Sequence, residues 1–188
     1  MMAVGTRDAL VHTAENLMRT RGYSAFSYAD LAEVVGIRKA SIHHHFPTKE
    51  DLGGAIVEDY IERVRTEFDR VEVQHSDVVA RLEAFFQIFK SGDDGKLLPL
   101  CGALAAEMSA LPPSMQQLTQ RFFEMQLTWL TRMLEQGIKL KQIPKGSGAR
   151  QKAFLLLSVL EGSSFINWAT KDADSLQPSV IRLIVENA

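Results

Sequence analysis

Arg38, Lys39, Ser41, His43, His44 and His45 fall within eight consecutive positions, and Lys49 follows four residues later. Each offers a nitrogen or hydroxyl donor. Donors gathered on one short segment suit phosphate oxygens and the edges of bases, and protonated histidines would add positive charge beside phosphate. Three histidines in a row also raise the question of a metal. Consecutive helical residues point about 100° apart, because a turn takes about 3.6 residues, so three such rings cannot converge on one ion. Helical metal pairs use spacings of three or four, and the nearest carboxylates, Glu50 and Asp51, lie beyond Pro47. No metal site is expected. The lone thiol, Cys101, sits in Leu-Pro-Leu-Cys-Gly with no basic neighbour closer than Lys96. It reads as a small buried hydrophobe rather than a nucleophile. No nucleophile elbow, phosphate-cradling glycine loop or dinucleotide fingerprint occurs. Neither an enzyme nor a cofactor is expected.

The elements that must position these donors are helical. Apolar residues recur at three and four nearly throughout, which predicts an all-α chain of about nine helices, over roughly 7–21, 28–35, 39–45, 49–73, 77–90, 97–110, 113–140, 149–170 and 175–187. Gly22, Gly36 and Gly92 fall just past helix ends, where a left-handed residue is wanted. Pro47, Pro112, Pro113, Pro144 and Pro178 fall at joints or first turns, where a missing N–H costs least. Ser27 with Asp30, and Thr48 with Asp51, have the pattern of an N-cap with a carboxylate three residues on, a weaker form of the capping box.

Within Ser27–Phe46 two short helices must cross steeply at a tight turn, as in a helix-turn-helix. Ala32 is small where they approach, and Gly36 permits the turn. Leu31, Ile37, Ile42 and Phe46 are spaced to pack on Leu10, Ala14, Leu17 and Met18 of helix one. That leaves Arg38, Lys39, Ser41, His43 and His44 on the outward face of helix three.

These residues carry a family resemblance. Arg21-Gly22-Tyr23, Phe26, Ser27, Leu31-Ala32, Gly36-Ile37, Lys39-Ala40-Ser41-Ile42, His44-His45-Phe46 and Lys49-Glu50-Asp51-Leu52 make residues 7–52 resemble the DNA-binding domain of the TetR family of transcriptional regulators. The resemblance implies that Ser27 caps helix two and touches a phosphate. It implies that Lys39, Ala40 and Ser41 lie at the major-groove end of helix three, that His43 and His44 face bases or phosphates, and that His45 and Lys49 face phosphates. Three residues depart from the family pattern. Arg38 replaces a Ser or Thr at the start of helix three, Ala40 stands where Gly is common, and His43 replaces a Tyr. The operator sequence is therefore not transferable.

Beyond residue 52 the resemblance is one of kind, an all-helical body. Helix seven carries Phe122, Met125, Trp129 and Met133 at i, i+3, i+7 and i+11; helix five carries Phe85, Phe86 and Phe89; helix six adds Met108. Taken singly each reads as core. Together with Phe165 they would give adaptable apolar walls to an effector pocket, with Gln126, Glu161 and Asn167 as its polar groups, and the resemblance implies such a pocket. Helices eight and nine are apolar on more than one face, through Phe154, Leu157, Phe165, Trp168, Ile181 and Leu183 among others. A two-fold interface through 149–170 and 175–187 would bury that excess. Gly53-Gly54, in the first turns of helix four, are read as softening a strut between a 1–52 DNA-binding domain and a 53–188 effector-binding and dimerisation domain.

The 188 residues carry 21 basic and 23 acidic side chains. That balance excludes a sequence-blind polycation, while Arg38, Lys39, Lys49 and three of the five histidines still cluster around helix three. A single Cys excludes an internal disulfide framework and fits a reducing, cytoplasmic setting. The most apolar stretch, 153–168, contains Glu161, Asn167 and serines, so no membrane span is expected. The combined expectation is a homodimeric regulator: a repressor released from a near-palindromic, double-stranded operator by a small apolar or amphipathic effector. An activator of the same fold, and a helical partner-binding protein without DNA, are the alternatives.

Overall fold

The computed structural model describes residues 5–90, 97–171, 176–177 and 179–187, apart from the side chains of Phe89, Lys90 and Asn187. The described residues are helical, with no strand among them. In chain order the helices are α1 (Thr6–Arg21), α2 (Tyr28–Val35), α3 (Lys39–His45), α4 (Lys49–Gln74), α5 (Val78–Lys90), α6 (Leu100–Ala106), α7 (Pro113–Lys139), α8 (Ala149–Thr170) and α9 (Ser179–Asn187). The all-α expectation holds. Gly92 and Pro178, read as punctuation, lie outside the described residues.

Helix six is where the expected boundaries fail. The predicted 97–110 is a two-turn α6 followed by a short 3₁₀ turn, Met108–Ala110. Pro99 stands at the N-cap with φ −52° and ψ 135°. Its ring fixes φ, and the residue before it is biased away from helix, so α6 cannot start at 97. At the other end Glu107 leaves the helical region, at φ −106° and ψ 14°. Its carboxylate accepts the backbone N–H of Ser24 at 2.9 Å. There it lies against Gly22, whose φ of 89° favours a residue without a side chain. A Cβ at Gly22 would fall 1.7 Å from a Glu107 carboxylate oxygen.

The chain divides into two compact units, Met1–Glu62 with Leu98–Arg121, and Arg63–Leu97 with Phe122–Ala188. The first is built on the face of α1 formed by Leu10, Ala14, Leu17 and Met18, buried together with Leu31, Ile42, Phe46, Leu52 and Ile56. Truncating a fully buried Leu such as Leu31 removes both transfer energy and packing, about 2–5 kcal/mol. Cys101 is fully buried in this unit.

The second unit is organised around an aromatic stack. Phe68 of α4 lies on Trp129 of α7 with ring centroids 4.6 Å apart, and Phe85 of α5 lies 5.5 Å from the same indole. The indole N–H donates to Glu72 at 2.8 Å, and Arg132 pairs with the same carboxylate. Lys152 of α8 is also buried here. Its ammonium donates to the Val185 carbonyl at 2.7 Å and to that of Pro144 at 3.1 Å, joining α8 to α9.

The two glycines at the start of α4 meet different surroundings. A Cβ on Gly53 would lie 3.0 Å from the Met115 thioether and from the Tyr23 ring, whereas on Gly54 its nearest neighbour is Leu118 at 3.9 Å. Gly53 therefore lets α4 approach α7 and Tyr23 closely. Gly54→Ala is expected to stabilise the protein by about 0.5–1 kcal/mol, the helix-propensity difference. Gly53→Ala must displace buried neighbours, so its overpacking offsets that gain. Urea titration of both variants checks this, and equal stabilisation by the two would remove the close-packing role of Gly53.

Candidate functional site

Local chemistry builds the short helix that carries the donor cluster. Ser27 accepts the backbone N–H groups of Ala29 and Asp30 at 3.2 and 3.3 Å, while Asp30 accepts the Ser27 N–H at 2.7 Å. This is a full reciprocal capping box, stronger than the pattern expected, and it starts α2. The bonds from Ser27 hold the Asp30 carboxyl below its ordinary range. Gly36 ends α2 at φ 75° and ψ 32°, a left-handed conformation that needs no Cβ. The chain then turns through Arg38 into α3.

Ile42 and Phe46 are buried and seat α3, leaving Arg38, Lys39, Ala40, Ser41, His43, His44 and His45 exposed. Seven of the nine expected DNA contacts thus share one short exposed segment. Arg38 occupies the N-cap without a side-chain bond of its own to the helix. His43 turns its Nδ1 to within 3.0 Å of the Pro47 carbonyl and sets its ring edge-on against Tyr28, 4.9 Å between centroids. The His44 and His45 rings lie 5.5 Å apart.

The other two candidates are engaged inside the first unit. The Ser27 hydroxyl donates to Asp30 at 2.6 Å. The Lys49 ammonium donates to the Phe26 carbonyl at 2.5 Å and lies 4.4 and 4.6 Å from the ring centroids of Phe26 and Tyr23. Two aromatic faces and a carbonyl form an attractive seat for a cation at the end of a four-carbon stem. Burial there pushes the Lys49 pKa down, against the pull of Glu107 and Asp30. The ammonium is therefore turned into the module rather than out toward solvent. Sequence reasoning missed Tyr28, whose hydroxyl donates to the carbonyls of Phe46 at 3.0 Å and Thr48 at 2.5 Å. Burial, with Asp51 and Tyr23 nearby, pushes its pKa up to about 12, so the phenol keeps its proton. Tyr28 thus fixes the α3–α4 turn from below. An aromatic residue directly after an N-cap was the signal available.

The expected effector contacts separate by unit and by depth. Met108 belongs to the first unit. Phe85, Phe122, Trp129 and Met133 are buried in the second, with Phe85 and Trp129 inside the aromatic stack. Met125 is half-buried, its sulfur 3.3 Å from the Arg65 guanidinium. Asn167 is half-buried and Phe165 is exposed, on the outer side of α8 with Phe154 and Ile166. The side chain of Phe89 lies outside the described residues.

Gln126 and Glu161 differ from all of these. Both ends of the Gln126 amide and both carboxylate oxygens of Glu161 are buried without a hydrogen-bond partner, the only such side chains among the described residues. Desolvation pushes the Glu161 carboxyl up to about 7. Buried polar groups normally find partners, because leaving one unpaired costs about 1–3 kcal/mol. Both lie in the second unit.

Residues 10–56 match the profile of bacterial regulatory proteins of the tetR family. The structure is similar to that of a TetR-family transcriptional regulator from Agrobacterium tumefaciens. The TM-score is 0.85 at 31% identity, over 95% of this chain and 93% of that one. It is also similar to a TetR transcriptional regulator from Legionella pneumophila, with a TM-score of 0.86 at 28% identity over 98% and 97%. Among curated proteins, the nucleoid occlusion factor SlmA of Marinobacter nauticus is 27% identical over 180 residues, 89% of this chain and 90% of its own length.

Proposed function

The chain belongs to the TetR family of bacterial regulatory proteins and is a DNA-binding transcriptional regulator rather than an enzyme, and from that premise we propose that it is a ligand-released repressor. Residues 1–52 read double-stranded operator DNA through α3, and residues 53–188 bind the effector and the second subunit. The observation that carries the reading is the exposed donor set Arg38–His45 on a short helix seated by Ile42 and Phe46. A helix so presented enters a major groove, and a dimer places two such helices on the half-sites of a near-palindrome. Lys39, Ala40, Ser41 and His44 face the groove. Arg38, His43 and His45 lie against the backbone, with Ser27, and Lys49 joins them only by leaving its aromatic seat.

The second copy packs on α8 and α9. Phe154, Phe165 and Ile166 of α8 and Leu183 of α9 are exposed, an apolar excess that a homodimer interface would cover. By length and composition α8 is also the one described helix that could cross a membrane. Its buried Lys152 and buried Glu161 carboxylate suit a protein partner better than lipid. The effector binds in the second unit, where the Gln126 amide and the Glu161 carboxylate oxygens are buried without hydrogen-bond partners, and the regulator works in the cytoplasm, where its DNA is. An effector shifts operator occupancy only through different affinities for the two conformations.

The test begins with selection of bound sequences from random DNA at a stated salt concentration. Each lost contact costs about 1–3 kcal/mol and occurs once per half-site. With two residues on two half-sites, the double variant Lys39→Ala/His44→Ala is therefore expected to lower operator affinity by about a thousandfold or more while leaving the dimer intact. Undiminished binding would remove α3 as the reader.

A further inference from the structure

We propose that the effector of this regulator is a small amphipathic cation, in which an aromatic or aliphatic body carries a protonated nitrogen that pairs with Glu161. The proposal rests on the reading that the second unit is the effector-binding one. Its basis is the chemistry left incomplete there. Both Glu161 carboxylate oxygens and both ends of the Gln126 amide are buried, and none has a hydrogen-bond partner. Among the described residues, the other buried polar side chains of the same unit are satisfied: Lys152 by two carbonyls, and the Trp129 indole by Glu72. The two exceptions are therefore specific.

The choice of a cation follows from what Glu offers and Gln does not. A protonated Glu and a Gln have similar shape and similar hydrogen-bonding capacity. A glutamine at 161 would serve a neutral effector equally well, without an ionisable group in a desolvated position. What glutamate adds is a negative charge, and in a site shielded from water that charge is strongly favourable only when a cation accompanies it. Desolvation is the cause that raises the Glu161 carboxyl, with no neighbouring charge contributing, so no cation of the described protein already balances it. Arrival of a cationic nitrogen would ionise Glu161 and release its proton. Gln126 carries no charge, so its unpartnered amide does not bear on the choice of a cation.

The experiment uses the full-length dimer and matched probes: ω-phenylalkylamines of increasing chain length, each with the corresponding alcohol. Binding is measured by calorimetry at pH 6 and pH 8, in two buffers of different ionisation enthalpy, for the wild type and for Glu161→Gln. The amines are expected to bind the wild type about tenfold or more tightly than the alcohols. Proton release on amine binding is expected at pH 6 and not at pH 8. In Glu161→Gln the preference should fall to about twofold or less, and the proton release should vanish. Equal binding of amines and alcohols, or a preference that survives Glu161→Gln, overturns the cationic effector and leaves the effector-binding reading standing. Failure of every amine and every alcohol to bind the wild type overturns that reading and the proposal with it.

Discussion

Glu161→Gln is expected to raise the melting temperature at pH 8 and to leave it nearly unchanged at pH 4. The side chain is deep enough in the second unit that desolvation pushes its carboxyl from an ordinary 4.5 up to about 7. Folding therefore favours the protonated form. The group imposes no penalty below the unfolded value; the penalty grows from there up to the folded value and is complete above it. The difference in pKa corresponds to about 3 kcal/mol of stability lost between pH 4 and pH 8. For a chain of this size each kcal/mol moves the melting temperature by about 2–4 °C, so the variant should melt about 6–12 °C higher at pH 8. Asp30 and Glu72 are shifted the other way, Asp30 chiefly by its bonds from Ser27 and Glu72 chiefly by its bond from Arg132. Their stabilisation is lost at acid pH in wild type and variant alike, so it cancels in the comparison. Thermal melts of both proteins across this range are the check. Parallel curves would mean that Glu161 is ionised or solvated in the folded protein at neutral pH.

The second large effect is expected from Ile166→Glu. Ile166 is 63% exposed, beside the exposed Phe165 and on the same helix as Phe154. A charge there costs the single chain little, since surface substitutions stay within about 0.5 kcal/mol. Across a two-fold interface the same change appears twice and buries two like charges. Light scattering is expected to show half the wild-type mass, with helical content retained. Operator affinity should fall by about 10²–10⁴-fold, because a monomer loses the effective concentration that delivers the second half-site. A retained dimer of wild-type affinity would show that the interface lies on another face.

The helix-turn-helix was legible because its determinants are local. Ser27 and Asp30 cap a helix within three residues of each other, Gly36 ends it, and Ile42 and Phe46 alternate with donors at helical spacing. These are matters of neighbouring atoms along one chain, and sequence reports them directly. The inward turn of Lys49 was not legible, because Phe26 and Tyr23 become its seat only after α2 and α4 pack. The close surroundings of Gly53 were not legible for the same reason: Met115, which a Cβ there would meet, lies more than sixty residues away. The shortened α6 combines both kinds of cause, a proline effect visible in sequence and a Glu107–Ser24 bond that is not.

Gln126, Glu161 and Asn167 stood out alike as polar residues in apolar helices. Sequence by itself determined the helical class, the reading module and that short set of polar candidates, since periodicity, caps and residue type are properties of the chain. Tertiary structure decided which of the candidates are left without a hydrogen-bond partner. Asn167 and Glu161 are both half-buried as residues, but both Glu161 carboxylate oxygens, like both ends of the buried Gln126 amide, are shielded with no hydrogen-bond partner. Desolvation and the absence of a partner belong to the packed assembly, because they are set by every atom that comes close and are written at no single position.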